Sequence, residues 1–506
     1  MTESVQRKSG AILSYVSIIV STLVQLLYTP FLTGMLGQSE YGLYSLVASI
    51  IGYLTVLDLG FGNAIIVYTA KYRANNELEK EKKMQGMFKI IFYIIGALVA
   101  LIGVGLYFNV DNFFAKTMTV AELEKAKIMM LILAFNMVIT FSFNIYSSII
   151  NAYEKFTFKK LISIANTLLK PILMIPLLFL GFKSITMCLV ITIVNILVVL
   201  SNYMYCKKKL NVSVKFDGFD KKLFLEMFSY SFFIFLGVVV DKVNWSVDQF
   251  ILGIVSGTVA VSIYSVASQL NHLFVNLSTA ISGVLLPKMS KMIANQASAS
   301  ELTDEMIKVG RIQWLIIFLM TSGFILFGKE FIIFWVGEEY SKAYYVALLL
   351  ILPMCVPLIQ NLGLSIMQAM NKHKFRAIIT SIMALVNVGV SYFLAKKYGV
   401  IGTAVGTTIS LVICNIIIMN IYYSKALKLE IKRFWKSIIK MSVPFCIPLV
   451  FVLIFMYFSN FSGIIGVVVY GALYTLIYSL TACYLSMNEY EKSLVNKVLN
   501  KFHISI

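Results

Sequence analysis

Hydrophobic and polar positions alternate along this chain in long blocks, not with the short period of a surface helix or strand. Runs of about 20 apolar residues, the length needed to cross the hydrocarbon core of a bilayer, recur with short polar connections between them. They predict spanning helices near 10–36, 41–70, 84–108, 124–152, 158–181, 184–206, 223–255 and 258–288, and again near 306–328, 342–370, 375–396, 400–423, 434–458 and 463–487. The fold class is therefore an all-α polytopic membrane protein with about fourteen transmembrane helices. No connection is long enough to hold a separate soluble domain. Residues 1–9 are polar and the apolar run from Gly10 is long enough to span, so no cleavable signal is expected.

The blocks repeat. A shift of 217 residues brings Ser148, Ala152, Lys155 and Phe158 onto Ser365, Ala369, Lys372 and Phe375, with Lys159 against Arg376. A shift of 219 brings Phe31 and Gly34 onto Phe250 and Gly253, and Val47-Ala48-Ser49 onto Val266-Ala267-Ser268. Two copies of a six-helix unit follow, separated by an even number of spans and so related by an axis along the membrane normal. The expected division is an N-lobe at 1–210, a C-lobe at 211–430, and 431–506 as two flanking helices and a tail. Two six-helix lobes are a transporter architecture.

Composition agrees with the pattern: 59% of residues are hydrophobic and 13% charged, with a mean hydropathy of +0.84. A net charge of +19 raises nucleic acid as a partner, but the placement of the charge excludes it. About three quarters of the 43 Lys and Arg fall in the termini and the even-to-odd loops, which the positive-inside rule places in the cytoplasm. The basic rims at 73–83, 207–222 and 425–440 are thus topology signals that attract anionic membrane lipid. The six cysteines lie in or at the ends of apolar runs without metal-type spacing, and no nucleotide-binding loop or nucleophile elbow is present. No cofactor or metal is expected, and coupling to H+ or Na+ is the available source of drive.

Charge inside the spans is the remaining signal, because an ionisable group at bilayer depth is costly and marks a polar path. Helix 7 carries Asp241, Lys242, Asn244, Trp245, Asp248 and Gln249. Asp241, Asn244, Trp245 and Asp248 follow i, i+3, i+4, i+7 spacing and share one face, with Lys242 and Gln249 on the adjoining one. Helix 2 holds Asp58 followed by Gly60 and Gly62, a segment able to unwind beside a cavity. Helix 5 holds Lys170 before Pro171, and its repeat mate in helix 11 is Asn387, so the two are expected to line a cleft. Arg311, near the start of helix 9, is expected to snorkel to the cytoplasmic surface. Each of these also has a purely structural account as an internal ion pair or a packing hydrogen bond.

Two stretches resemble a known family. Leu32-Thr-Gly-Met-Leu-Gly-Gln-Ser-Glu-Tyr-Gly-Leu-Tyr44 with Leu57-Asp-Leu-Gly-Phe-Gly-Asn63 is similar to the opening signature of bacterial polysaccharide-biosynthesis flippases of the multidrug/oligosaccharidyl-lipid/polysaccharide exporter superfamily. Met367-Gln-Ala-Met-Asn-Lys-His-Lys374 resembles the later signature at the helix 10–11 turn. The resemblance covers essentially the full chain and implies a MATE-like pair of lobes. It also implies translocation of undecaprenyl-pyrophosphate-linked oligosaccharide units between leaflets of the cytoplasmic membrane, for O-antigen, lipopolysaccharide or capsule assembly. Lys170 and Lys242 are then the pyrophosphate contacts, and Asp58, Asp241 and Asp248 their counter-ions or a coupling-ion site. A polysaccharide polymerase and chain-length proteins are the implied protein partners. Lipid II flippases of the superfamily carry arginines in helices 1, 2 and 8; this sequence has none there, which favours a surface-polysaccharide unit over a peptidoglycan precursor.

Two alternatives stand beside this reading. An ion-coupled drug or organic-cation antiporter would want a carboxylate-dominated cavity, against which the two lysines count. A polytopic glycosyltransferase or acyltransferase would want a catalytic His or Asp in a large aqueous loop, and the longest loops, 109–121 and 328–341, are short. The chain is therefore not expected to be an enzyme.

Overall fold

The computed structural model describes residues 3–212, 214, 216–282, 286–372, 374–459, 461 and 463–499, with the side chains of 3–12, 233, 240, 241, 244, 277–282, 286, 287 and 497–499 left out. Among the described residues there is no strand, and helices run almost end to end. Eleven stretches among those residues are long and apolar enough to cross a membrane. Two of them, Leu13–Ala74 with 62 residues and Lys374–Lys425 with 52, are each far longer than the roughly 20 residues one crossing requires. Both contain a backbone break: Gly37 (φ 75°) in the first and Gly399 (φ 57°) in the second. Left-handed angles of this kind cost an L side chain about 1 kcal/mol or more, so glycine is the residue that allows the chain to turn there.

Helices cluster into two compact units, Met1–Ser265 with Tyr392–Thr403 and Val266–Ser391 with Ala404–Ile506. The first unit is built from α1 (Glu3–Tyr53, broken at Gly37), a 3-10 turn (Leu54–Asp58), α2 (Phe61–Ala74), α3 (Leu78–Phe114), α4 (Val120–Ala152), α5 (Phe156–Phe179), α6 (Ser184–Lys208), α7 (Lys221–Val255) and the start of α8 (Gly257–Ser282). In it α4 packs on α3, α6 and α2, and α1 packs on α5, α4 and α7. α7, which the sequence repeat aligns with the first helix, packs on α1, the 3-10 turn, α2 and α3. The seam is aromatic: Phe61 meets Phe88, Phe224 and Phe228 with ring centroids 5.1–6.2 Å apart, and Tyr68 donates to Glu226 at 2.8 Å.

Glycine brings the start of α8 against α1. A Cβ on Gly42 would fall 1.9 Å from the Thr258 carbonyl oxygen, so only the bare backbone fits. Gly42→Val is expected to destabilise the protein by about 1–3 kcal/mol through overpacking. The midpoint of thermal unfolding in detergent reads this; an unchanged midpoint would show that the helices separate freely there.

The second unit holds α9 (Leu286–Ala294), α10 (Ala299–Val336), α11 (Lys342–Ile359), α12 (Asn361–Ala369) and α13 (Lys374–Leu411, broken at Gly399 and shared with the first unit). A π-helical segment (Val412–Ile418), α14 (Met419–Lys425), α15 (Ile431–Ser442), α16 (Cys446–Phe458), α17 (Gly463–Thr481) and α18 (Glu489–Leu499) complete it. Of the last two apolar helices, α17 packs on α10 and on α16. Phe445, Val452, Tyr470, Tyr474 and Tyr478 form one buried cluster with Phe327 of α10, against Trp314 and Phe318. Arg311 departs from the expectation of a snorkelling side chain. It is 9% exposed, and its Nε and Nη2 donate to the two carboxylate oxygens of Glu491 at 2.6 and 2.8 Å. Glu491 of α18 is 2% exposed, so burial by the tail supplies a partner that solvent would otherwise provide.

The repeat read from the sequence recurs in the backbone of the two halves. Non-glycine residues with left-handed φ sit at matching positions: Glu154 and Asn371 (54° and 55°) and Asn211 and Lys428 (51° and 58°), each pair 217 apart. Phe158 stacks on Tyr205 at 3.8 Å, and 217 residues later Phe375 stacks on Tyr422 at 4.1 Å.

Candidate functional site

The polar side chains of α7 are sorted by what packs against each. Asp248 is 1% exposed, and the Tyr264 hydroxyl of α8 donates to its Oδ2. A carboxylate removed from water needs such donors, and α8 supplies this one. One residue on, Gln249 Nε2 donates to Ser265 Oγ at 3.0 Å. Asp248 and Gln249 therefore bind α7 to α8, while Trp245 is half-buried. The side chains of Asp241 and Asn244 lie outside the described residues.

Lys242 is different. Half-buried, it has no hydrogen bond or ion pair among the described residues, and its Nζ lies 3.9 Å from where a Cβ on Gly52 would stand. The ammonium thus rests beside the bare backbone of α1 and keeps its three donors. Lys170, on the α5 turn that precedes Pro171, is likewise half-buried and without a hydrogen bond or ion pair among the described residues. Among the described residues both ammonium groups are without partners inside apolar helices, an arrangement that favours a negatively charged guest.

Asp58 sits at a true break in the helix. The 3-10 turn ends on it, Leu59 (φ 52°) and Gly60 (φ 75°) are both left-handed, and α2 restarts at Phe61. A Cβ on Gly60 would stand 2.9 Å from the Ser231 carbonyl of α7, which is why glycine serves there. The Asp58 carboxylate accepts from Asn144 Nδ2 at 2.7 Å and from the Gly62 amide at 3.3 Å. It caps the restarted helix while remaining half-buried beside the break. Asn387, in the second unit, is 1% exposed and accepts from Ser391 at 2.9 Å and Thr407 at 3.3 Å. It packs the two arms of α13 together, a role that polarity and repeat position alone did not distinguish from lining a cleft.

A carboxylate network at the loops of the first unit escaped the sequence reading. Glu122 closes a capping box on α4, its Oε2 accepting from the Thr119 amide and hydroxyl at 2.9 Å. Its Oε1 accepts from Ser39 at 2.6 Å and Thr258 at 2.7 Å. Neighbouring Glu40 binds Lys125 and Ser184. Two acids thereby join α1, just past its break at Gly37, to the starts of α4, α6 and α8. The Thr119-x-x-Glu122 spacing was the available signal for the cap, but nothing local announces the partners 83 and 136 residues away.

Long helices broken at glycines, charges held inside them and a backbone repeat define a polytopic, all-helical membrane protein. The structure aligns over 97% of this chain and 99% of the other with the lipid II flippase MurJ in an inward closed conformation, at a TM-score of 0.71 and 19% identity. It aligns over 79% of this chain and 92% of the other with an inward-facing MATE-family multidrug resistance transporter, at a TM-score of 0.61 and 13% identity. At these identities the likeness speaks for the fold. A protein of Shigella flexneri named "Putative O-antigen transporter" is 21% identical over 413 residues, 80% of this chain and 94% of that protein. Residues 8–293 match the family described as polysaccharide biosynthesis protein, and the chain belongs to that family. The family resemblance is borne out, and the match covers the stretch 32–63 from which it was first drawn.

Proposed function

We propose that the protein is a flippase that moves undecaprenyl-pyrophosphate-linked oligosaccharide repeat units across the cytoplasmic membrane by alternating access. The observation that carries this reading is the pair of lysines, Lys170 and Lys242, with no hydrogen bond or ion pair among the described residues. Two such ammonium groups suit a pyrophosphate, whose oxygens take charge-assisted hydrogen bonds about twice as strong as neutral ones. The family, and the name borne by the Shigella relative, support a surface polysaccharide unit as the cargo.

In this reading Trp245 and Gln249 border the glycan, with Asn244 placed beside them by helical spacing alone. Asp58 and Asp248 serve as the site of H+ or Na+ exchange, with Asp241 included on the same spacing argument. Asn387 is left to packing. The topology that goes with it has fourteen crossings, repeated lobes at 1–210 and 211–430, and both termini in the cytoplasm. A polymerase and chain-length proteins would take up the exported unit.

Leaflet exchange of defined lipid-linked glycans in proteoliposomes tests the proposal. Exchange is expected to exceed that of protein-free vesicles and to accelerate under an imposed H+ or Na+ gradient. Transport of a fluorescent organic cation with no glycan exchange would sink it in favour of a drug antiporter.

A further inference from the structure

The second unit contains a small recess of about 30 Å³ that the transport reading leaves unused. It is lined by Pro357, Gln360 and Asn361 at the α11–α12 junction, by Leu364, and by Arg376, Asn415, Met419 and Tyr423. Arg376 brings the one formal charge, and no carboxylate lines the wall. Its guanidinium has no hydrogen bond or ion pair among the described residues, and neither the Asn415 amide nor the Tyr423 hydroxyl has a hydrogen bond among them. Three residues that carry hydrogen-bond donors thus line one recess. Asn415 lies on the π-helical segment, a wide turn that adds a residue to the helix and is frequent at functional sites.

The first copy of the repeat shows what the recess would look like without a ligand to hold. At the position of Arg376 it has Lys159, and that lysine donates to the Ser147 hydroxyl. In the second copy the matching position to Ser147 is Leu364, so the cation has lost its internal acceptor. Over the same shift Val198 becomes Asn415 and Cys206 becomes Tyr423. One hydroxyl acceptor has been removed and two polar groups added, all around one positive charge. A planar guanidinium with neutral donors beside it is the chemistry that takes an oxyanion, and phosphate above all. The recess opens two residues into α13, next to Lys372 and Lys374 and near Lys425, a basic rim of the kind that sits at the level of lipid phosphates.

We infer that Arg376, Asn415 and Tyr423 form a phosphate-binding site, distinct from Lys170 and Lys242, that takes the head group of an anionic phospholipid.

The full-length protein in detergent, titrated with dioleoyl-phosphatidylglycerol, tests this by the rise in thermal midpoint and by lipid retained in native mass spectra. Wild type is expected to respond to phosphatidylglycerol and not to dioleoylglycerol, which lacks the phosphate. Arg376→Gln is expected to shift the titration midpoint at least tenfold, and Asn415→Leu and Tyr423→Phe several-fold, with their lipid-free melting unchanged. Tyr423→Phe removes one oxygen only and keeps the test usable should Arg376→Gln fail to fold. Inorganic phosphate alone reproducing the response in wild type but not in Arg376→Gln would keep the site and make its ligand a free phosphate. Equal responses from wild type and all three variants would overturn the site.

Discussion

Replacing Lys170 or Lys242 with alanine is expected to abolish surface polysaccharide export while the protein still inserts in the membrane. Each side chain offers three ammonium donors, and neither has a hydrogen bond or ion pair among the described residues. Among the described residues their removal therefore breaks no internal pair and orphans no carboxylate, which separates a transport defect from a folding defect. A hydrogen bond to a charged group contributes about 1.5–3 kcal/mol, so each substitution should slow leaflet exchange at low substrate by about 10- to 150-fold. Arginine at either position keeps the charge and should restore part of the rate, whereas glutamine should not. Complementation of a flippase-deficient strain, with membrane levels measured in parallel, reads the result. Full complementation by both alanine variants would remove these lysines from the mechanism.

Glu491→Ala is expected to have the largest effect on stability. Its carboxylate is almost wholly enclosed and takes two donors from Arg311 and a third, at 2.9 Å, from the Asn488 amide. Arg311 also donates to the Ser486 carbonyl at 2.9 Å, so the guanidinium is fixed from both sides of the tail. Removing one partner of such a pair leaves an uncompensated buried charge and costs about 3–5 kcal/mol. Replacing both partners with apolar residues of similar volume, as in Arg311→Met with Glu491→Leu, should recover most of that loss. A double-mutant cycle on thermal unfolding measures the coupling. Additive losses from the two single changes would mean that the pair contributes nothing as a pair.

Hydropathy carried most of the fold because a bilayer imposes one length and one polarity on every element that crosses it. The helices near 84–108, 124–152 and 184–206 appear within α3, α4 and α6 for that reason. The breaks were legible only where glycine marked them. Gly60 was visible as a kink, but the left-handed Leu59 beside it is set by the packing of Gly60 on α7 and has no local signature. Side-chain roles were less accessible. Asp248, Gln249 and Lys242 are equally polar on paper, yet Tyr264 and Ser265 engage the first two, and no ion pair engages the lysine among the described residues. Those partners lie 16 residues away across a turn, beyond any helical periodicity. Arg311 failed for the same reason: an arginine near a helix end reads as solvated until a tail 180 residues later covers it.

The duplicated turns give the chain an internal reference. Phe158 with Tyr205 and Phe375 with Tyr422 stack alike in both halves, which marks those rings as serving a shape that each half must build for itself. Substitutions there can be made in one half and scored against the other within a single molecule. Where the halves part, as at Ser147 against Leu364, exchanging the two residue types becomes a directed experiment. Leu364→Ser would hand Arg376 the acceptor that Lys159 already has, converting the later half toward the earlier one by a single oxygen.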